Sequence, residues 1–141
     1  MAKYVIEFIG TFFLVLVAGL TGNPLAIGGV LAVMVYLGGY ISGANYNPAV
    51  SLALWIQKKL SSKDFLVYAA VQLVAGLAAA ATVGFLGDTD MVVTPGDGVS
   101  FWTAFAAEAV FTFALVFTVL NVAFSKKTKD NHYFGLAIGT V

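Results

Sequence analysis

The sequence predicts an all-helical protein that crosses a membrane several times, and three observations lead to this fold class. Of its 141 residues, 60% are hydrophobic and only 10% are charged, with a mean hydropathy of +0.94, which is far from an ordinary soluble domain. The apolar residues form blocks near the length of about 20 residues that crosses the hydrocarbon core of a bilayer. Charged residues lie mainly in the connections between these blocks, where their sign orients the helices.

The apolar blocks predict four full spans, one half-helix and the beginning of a fifth span. The predicted full spans are residues 4–20, 25–41, 65–86 and 101–124. Residues 47–56 have about half the length needed to cross, and residues 132–141 begin a span without completing it. The first block follows Lys3 and has an alternative interpretation as a secretory signal peptide. Glu7 within the block and the lack of a clear cleavage site argue against that alternative.

Lysine placement predicts that residues 47–56 enter the membrane and return to the same face. All basic residues are lysines, at positions 3, 58, 59, 63, 126, 127 and 129. With a re-entrant segment and a cytoplasmic N terminus, every lysine lies on the cytoplasmic side, as the positive-inside rule requires. A full crossing would put the later lysines on the opposite side from Lys3. The connection 88–100 carries Asp88, Asp90 and Asp97 without a lysine, which predicts an extracellular loop.

Two segments recur in the same order along the chain, which predicts an inverted repeat. Residues 7–15 match residues 108–116 at five of nine positions, and the matches include the pair Glu7 and Glu108. Residues 25–30 match residues 136–141 at five of six positions. Because three spans and a half-helix separate the copies, the second copy starts from the opposite membrane face, and ligand paths in such proteins lie between the two halves.

The repeat divides one predicted transmembrane domain, residues 1–141, into two unequal parts. We expect a first repeat at residues 1–87, the extracellular loop at 88–100, and an incomplete second repeat at 101–141. Adding the second offset of 111 residues to Asn47 predicts another Asn-Pro-Ala near position 158. We therefore expect a C-terminal truncation before that second motif rather than a naturally short protein.

Residues 42–51, Ser-Gly-Ala-Asn-Tyr-Asn-Pro-Ala-Val-Ser, carry the most informative chemistry. Asn47 is a favoured helix N-cap, and Pro48 fits the first helical position because no backbone donor is lost there. The half-helix would direct its unpaired N–H groups and positive dipole end toward the midplane, which disfavours a cation but still binds water. The preceding backbone carbonyls would form a row of acceptors along the pore, from Gly43, Ala44, Asn45 and Tyr46.

Donors at one point and acceptors along one wall suit a small neutral polar molecule. Irregular backbone at membrane depth is tolerated where it lines a cavity or is buried in protein, so this segment is a candidate pore site. As a bare tripeptide, Asn-Pro-Ala is more often an ordinary turn and cap. The half-helix, the lysine topology and the repeat together favour the pore interpretation here.

At these residues the chain resembles the major intrinsic protein family of aquaporins and glycerol facilitators, over essentially its whole length. Asn47-Pro48-Ala49, with the residues before it, is similar to the first signature motif of that family, except that Asn45 stands where histidine is usual. Three further patterns resemble the family: Glu7-x-x-x-Thr11, Glu108-x-x-x-Thr112 and Tyr68-x-x-x-Gln72-x-x-x-Gly76.

The resemblance implies a role for each matching residue. Asn47 would orient the permeant at the pore centre, and Glu7 and Glu108 would brace re-entrant loops by hydrogen bonds. The alternative for these glutamates is a protonated or helix-paired structural carboxylate. Tyr68 and Gln72 are expected to pack and to form structural hydrogen bonds. Ile27 would stand at the second-helix position of the external selectivity filter, where water channels often carry an aromatic residue; its alternative is a lipid-facing or packed aliphatic.

The resemblance also implies a fold and an activity. The fold would be an aquaporin-like right-handed helical bundle with inverted repeats and a re-entrant half-helix, embedded in a cell membrane as a homotetramer. Its activity would be passive flow of water or of small neutral solutes such as glycerol, without a cofactor or a metal. Two alternatives are a truncated, non-conducting fragment and an ion-coupled secondary transporter with a broken helix.

Other classes of function find little support in the composition. The chain has no cysteine and a single histidine, His132, so an intramembrane enzyme or a metal cluster is not expected. Basic residues are few and lie in short connections, which argues against nucleic-acid binding.

Overall fold

The computed structural model describes residues 1–87, 91 and 93–141, and this part of the chain is helical without β-strands. Asp88 and Asp90 of the predicted extracellular loop lie outside the described residues. The α-helices are α1 (Ala2–Leu20), α2 (Pro24–Gly38), α3 (Pro48–Ile56), α4 (Ser62–Gly87), α5 (Phe101–Ala123) and α6 (Phe134–Gly139). Lys126–Thr128 forms a single 3-10 turn between α5 and α6. Among the described residues, α1, α4 and α5 are long and apolar enough to cross a membrane.

The second predicted span forms a shorter helix than expected. Helix α2 has 15 residues, which at about 1.5 Å per residue is less than the roughly 30 Å of a hydrocarbon core. It begins at an Asn-Pro cap, because the Asn23 side chain accepts hydrogen bonds from two backbone N–H groups of the first turn. Beyond Gly38, Ser42 N–H donates to Gly38 O and Gly43 N–H donates to Gly39 O. These helix-like bonds extend the crossing through residues 39–42, where paired glycines disfavour a regular helix.

Helices α1 and α4 lie side by side and run in the same direction. The Tyr4 hydroxyl donates to Asp64 at 2.8 Å near the start of both helices, and the rings of Tyr4 and Tyr68 meet edge to face. At the other end, Gly19 lies against Val83. Helix α2 returns beside α1 as an antiparallel partner, with Gly38 beside the Ile6 side chain. The end of α2 therefore lies at the same membrane face as the start of α1 and α4.

Helix α3 begins at mid-depth and returns to the face from which the chain entered. Just before α3, the carbonyl of Tyr46 accepts a hydrogen bond from Thr11, which lies midway along α1. After α3, the chain turns directly into α4, whose Asp64 forms a 2.8 Å salt bridge with Lys3. Because α3 spans only nine residues, it reaches about half-way across a bilayer. The predicted half-helix is therefore re-entrant in the structure.

Helices α5 and α6 close one side of this bundle. Helix α6 packs against α2 in the opposite direction, since Gly135 lies beside Tyr36 and Gly139 lies against the backbone of Gly28. The Tyr36 hydroxyl also donates to His132 O at 3.0 Å. Much of α5 stays exposed within the chain, and its exposed large apolar side chains include Phe101, Trp102, Phe105, Val110, Phe111, Phe113 and Phe117. Such a face is suited to lipid or to another protein surface.

Candidate pore site

The loop before α3 adopts a backbone that costs energy. Gly43, Ala44 and Tyr46 have positive φ angles of 88°, 52° and 54°. Glycine adopts this left-handed conformation freely, whereas other residues pay about 1–2 kcal/mol. Asn47 then returns to an extended conformation, with φ −147° and ψ 130°, as an N-cap does. Interactions elsewhere must offset the cost at Ala44 and Tyr46.

Glu7 supplies the main interaction that holds this loop. Its side chain is fully buried, and one carboxylate oxygen accepts from Asn45 N–H at 2.9 Å. The other oxygen accepts from Tyr46 N–H at 2.7 Å and from Gln72 Nε2 at 2.8 Å. A buried carboxylate is tolerated only when its oxygens are hydrogen-bonded, and these three donors meet that condition. The carboxylate therefore ties the strained backbone to α1 and α4.

Tyr46 wedges the loop between α1 and α2. Its hydroxyl donates to Met34 O at 2.8 Å, and its ring lies directly on Gly10. A Cβ atom at Gly10 or at Gly38 would overlap the tyrosine side chain, so these two helices need glycine where the ring packs. The Tyr46 carbonyl is occupied in turn by the Thr11 hydroxyl at 3.1 Å. The Tyr46 side chain therefore packs into the bundle.

A buried polar network links the loop to α3 and α4. The Ser51 hydroxyl oxygen accepts from Asn45 Nδ2 and from Gln72 Nε2, each at 3.0 Å. Nearby, the Tyr68 hydroxyl donates to Ser42 O at 2.8 Å. Sequence reasoning did not single out Ser51 as a site residue. Its signal is that it is the only polar residue within α3, one helical turn after Asn47.

Asn47 caps α3 and keeps its amide NH2 group free of intramolecular bonds. Its Oδ1 accepts from Ala49 N–H at 2.7 Å, and its backbone carbonyl accepts from Ser51 N–H at 3.0 Å. Within the described residues, Nδ2 has no hydrogen-bond partner, and its side chain is not an enclosed unsatisfied group. The donor therefore stays available at the positive end of the half-helix.

Asn45 and Asn47 line a narrow cavity of about 30 Å³. This volume suffices for one or two water molecules, since each needs roughly 10–15 Å³ on the same measure. Ala44 completes the loop side of the cavity. The remaining wall is apolar and consists of Leu14, Leu31, Val50, Leu115, Val119 and Ile138. Two asparagines thus line a cavity whose other walls are apolar.

A wider cavity of about 580 Å³ adjoins the narrow one on the side of the lysines. The two cavities share the lining residues Ala44, Val119 and Ile138, so the wide cavity narrows toward Asn47 like a funnel. Gly43 lines the wide part, together with residues 122–126 and 128–132 after the middle of α5. The wide cavity therefore lies next to the cavity that Asn45 and Asn47 line.

Other predicted site residues lie away from these two amides. Ile27 is half-buried on α2 and lines neither cavity. Glu108 is exposed on α5 and forms no hydrogen bond within the described part of the chain. It lies seven residues, or about two helical turns, before the cavity-lining Leu115. Residues 1–87, 91 and 93–141 contain no group of three histidine or acidic side chains that could hold a metal ion.

Comparison with protein families yields a match over most of the chain. The family model described as Major intrinsic protein matches residues 17–141. The chain is 32% identical over 179 residues to aquaporin AqpM of Methanothermobacter thermautotrophicus, which covers 97% of this chain and 71% of that protein. It is 36% identical over 127 residues to aquaporin AqpM of Methanothermobacter marburgensis, covering 82% of this chain and 49% of that protein.

A relative named as a glycerol facilitator matches at a similar level. The chain is 34% identical over 159 residues to glycerol uptake facilitator protein-like 6 of Lactiplantibacillus plantarum, covering 99% of this chain and 71% of that protein. The chain thus spans between about half and seven tenths of the length of these relatives.

Proposed function

Because this chain belongs to the major intrinsic protein family, we propose that it forms a passive membrane channel for water and small neutral solutes. Its aquaporin and glycerol facilitator relatives support this class of function. The single observation that carries the proposal is the Asn47 amide, which lies at the narrow end of a funnel with its donor group uncommitted. Channels of this family are generally not enzymes, and we propose that this chain has no catalytic activity.

In the proposed mechanism, Asn47 orients the permeant by a hydrogen bond, and most of the wall around it is apolar and offers no hydrogen-bonding side chain. A permeant oxygen accepts from Asn47 Nδ2, and the N terminus of α3 adds a positive field at the same point. A cation would lose its hydration in an apolar constriction and meet that field, so its passage is disfavoured. A neutral molecule loses less hydration and regains a hydrogen bond at Asn47.

Cavity size limits the permeants to small molecules. Beside Asn45 and Asn47, the cavity of about 30 Å³ holds one or two water molecules. A larger polyol can pass only if the apolar side chains that line this cavity move apart. The proposal keeps Ile27 as a candidate filter residue, because it lies on α2 beyond Leu31, away from the wide cavity. An aliphatic side chain there would tolerate solutes with carbon–hydrogen surface.

The chain is an integral, multi-pass membrane protein, and its orientation forms part of the proposal. We propose a cytoplasmic N terminus, because the structure gathers Lys3, the end of α3 and the start of α4 at one face. The proposed division is a first repeat at residues 1–87, an extracellular loop at 88–100 and second-repeat sequence from 101. A homotetramer is also proposed, and the exposed apolar faces of α4 and α5 support such contacts.

The two glutamates receive parallel roles in this proposal. We propose that Glu7 braces the loop before α3, and the backbone N–H groups from which it accepts support this role. We propose that Glu108 braces backbone N–H groups in the same way, since its neighbours in sequence repeat those of Glu7. An exposed carboxylate within an apolar helix is otherwise costly in a membrane.

Replacing Asn47 with aspartate tests the proposed channel. Asn47→Asp keeps an oxygen that accepts from Ala49 N–H but replaces the Nδ2 donor by a second acceptor. We expect water permeability per protein in proteoliposomes to fall at least about fivefold, because a hydrogen bond of roughly 1 kcal/mol is lost. Stopped-flow light scattering after an osmotic step measures this permeability.

Asn23→Asp is the matched control. Asn23 also precedes a proline and caps a helix through its Oδ1. It is exposed, however, at the start of α2, whereas the loop that contains Asn47 follows the end of α2. Its substitution should leave permeability within about twofold, as expected of surface changes below about 0.5 kcal/mol. Wild-type protein without flux above empty liposomes would contradict the channel, and so would flux that requires a sodium or proton gradient.

A further inference from the structure

The side-chain amide of Asn45 is held in one orientation by hydrogen bonds that begin at Glu7. Both oxygens of the Glu7 carboxyl group accept from N–H donors, and one of them accepts from Gln72 Nε2 at 2.8 Å. The same Nε2 group donates to Ser51 Oγ at 3.0 Å, and the Ser51 hydroxyl donates its hydrogen to Gln72 Oε1 at 3.4 Å, so Ser51 Oγ is left to act as an acceptor. Asn45 Nδ2 then donates to the same oxygen at 3.0 Å. The Glu7 carboxyl group thus fixes the orientation of the Asn45 amide through the buried side chains of Gln72 and Ser51.

This orientation leaves Asn45 Oδ1 as a free acceptor. Within the described residues, Oδ1 has no hydrogen-bond partner, and no buried side-chain oxygen or nitrogen is both enclosed and unsatisfied. Oδ1 therefore retains contact with open space, although the Asn45 side chain is otherwise buried. Asn45 lines the narrow cavity beside Asn47, whose cap bond leaves its Nδ2 donor free.

We propose that Asn45 Oδ1 is a specificity-determining acceptor in the narrow cavity and that Ser51 and Gln72 are its positioning residues. This inference rests on the proposed channel function. An acceptor at Asn45 and a donor at Asn47 together match a hydroxyl group, which donates through its hydrogen and accepts through its oxygen. The chemical class selected is a neutral molecule bearing O–H, such as water or a small polyol. A permeant that lacks a donor leaves Asn45 Oδ1 unpaired, which lowers its passage.

Transport by an Asn45→Leu variant tests the acceptor. Leucine has nearly the same shape but no polar atom, so water permeability per protein should fall about fivefold, the factor expected for one lost hydrogen bond. Asn121→Leu is the matched control, because Asn121 is exposed on α5 and bonds only to the Phe117 carbonyl through its side chain. Its permeability should stay within about twofold of wild type. Equal permeability of Asn45→Leu and wild type would overturn the proposal.

A double-mutant cycle separates positioning from general structure. Ser51→Ala removes the acceptor that orients Asn45, so permeability should fall by up to the same factor of about five. In the Asn45→Leu background, Ser51→Ala should cause no further fall, because no amide remains to be oriented. An equal proportional loss in both backgrounds would indicate a merely structural role for Ser51 and would overturn its assignment.

Hydrogen exchange of the Asn45 side chain tests the orientation without transport. In protein labelled with ¹⁵N-asparagine, the Asn45 NH2 signal should exchange at least about tenfold more slowly than that of Asn23, whose amide is exposed. Ser51→Ala should accelerate exchange at Asn45 and leave Asn23 unchanged. Exchange of Asn45 at the rate of Asn23 in the wild type would overturn the inference. Slow exchange at Asn45 in a protein without water flux would instead contradict the proposed channel function and leave the orientation of Asn45 supported.

Discussion

At the scale of single residues, Glu7 has the largest structural effect on the candidate pore. It receives two backbone N–H groups of the loop and one side-chain donor of α4. The two backbone bonds are made by Asn45 and Tyr46, so they act where positive φ angles strain the chain. One carboxyl group therefore offsets the conformational strain of the loop and orients the amide network behind it. The sequence indicated a bracing role for Glu7 through its resemblance to the family, without indicating which atoms it contacts.

Glu7→Gln is expected to lower stability by about 3 kcal/mol. The substitution places an NH2 group where the loop and Gln72 present donors, so at least one buried donor loses its acceptor and the remaining bonds lose their charge. The midpoint of thermal unfolding in detergent, followed by tryptophan fluorescence, measures the loss. Asp97→Asn is the control, because Asp97 is an exposed loop carboxylate, and it should change stability by less than about 0.5 kcal/mol. Equal midpoints for Glu7→Gln and wild type would refute the bracing role.

At the scale of elements, the α1–α2 hairpin accommodates the loop through two glycines. The Tyr46 ring occupies the space beside Gly10 and Gly38 that side chains would otherwise fill. The sequence pattern predicted α1 and α3 well, since apolar runs, an N-cap and a proline are local signals. It did not predict that α2 ends at Gly38, because this end depends on how residues 39–42 turn toward the bundle interior. The contact of Tyr46 with Gly10 is likewise a product of packing between distant segments.

Gly10→Ala is expected to destabilise the loop. The added Cβ would overlap the Tyr46 ring, so either the ring or the helix must shift, at a cost of about 1–3 kcal/mol. Thermal unfolding and the accessibility of the loop to limited proteolysis measure this effect. Gly76→Ala is the matched control in another long helix, because a Cβ there meets no atom within 4 Å in the chain. It should be neutral or stabilising, since alanine favours helix over glycine by up to about 1 kcal/mol. Equal stability of the Gly10→Ala and Gly76→Ala variants would contradict the packing of the Tyr46 ring against Gly10.

At the scale of the whole molecule, the re-entrant α3 decides which face each connection occupies. The structure gathers Lys3, Lys59 and the loop after α5 on one side, whereas the loop before α5 lies at the opposite ends of α4 and α5. This arrangement follows because the returning half-helix leaves two crossings instead of three between Lys3 and Lys59. Lysine placement in the sequence predicted the same topology independently of packing.

Single cysteines can test this topology, because the chain has none of its own. Lys59→Cys and Lys127→Cys should react with a membrane-impermeant maleimide from the same side of oriented vesicles. Asp97→Cys should react only from the other side, since α4 and α5 separate it from both lysines. Lys3→Cys should react from the same side as Lys59→Cys, because a re-entrant α3 leaves two crossings, α1 and α2, between them. Labelling of the four positions in intact and in permeabilised vesicles is compared by mass spectrometry. Reaction of Lys3→Cys and Lys59→Cys from opposite sides would mean that α3 crosses fully.

The sequence by itself determined the solvent, the helices and the re-entrant segment, because hydropathy, capping residues and lysine placement act locally or through the membrane. The match to the major intrinsic protein family confirms the fold class that these signals predicted. Only the tertiary structure decided the orientation of the side-chain amides of Asn45 and Asn47. Glu7 and Gln72 lie 65 positions apart, and the hydrogen bonds of Gln72 to Glu7 and to Ser51 depend on the packing of α1, α3 and α4. No local pattern encodes such a network, since each of its hydrogen bonds needs the backbone of another helix to bring its partner within reach.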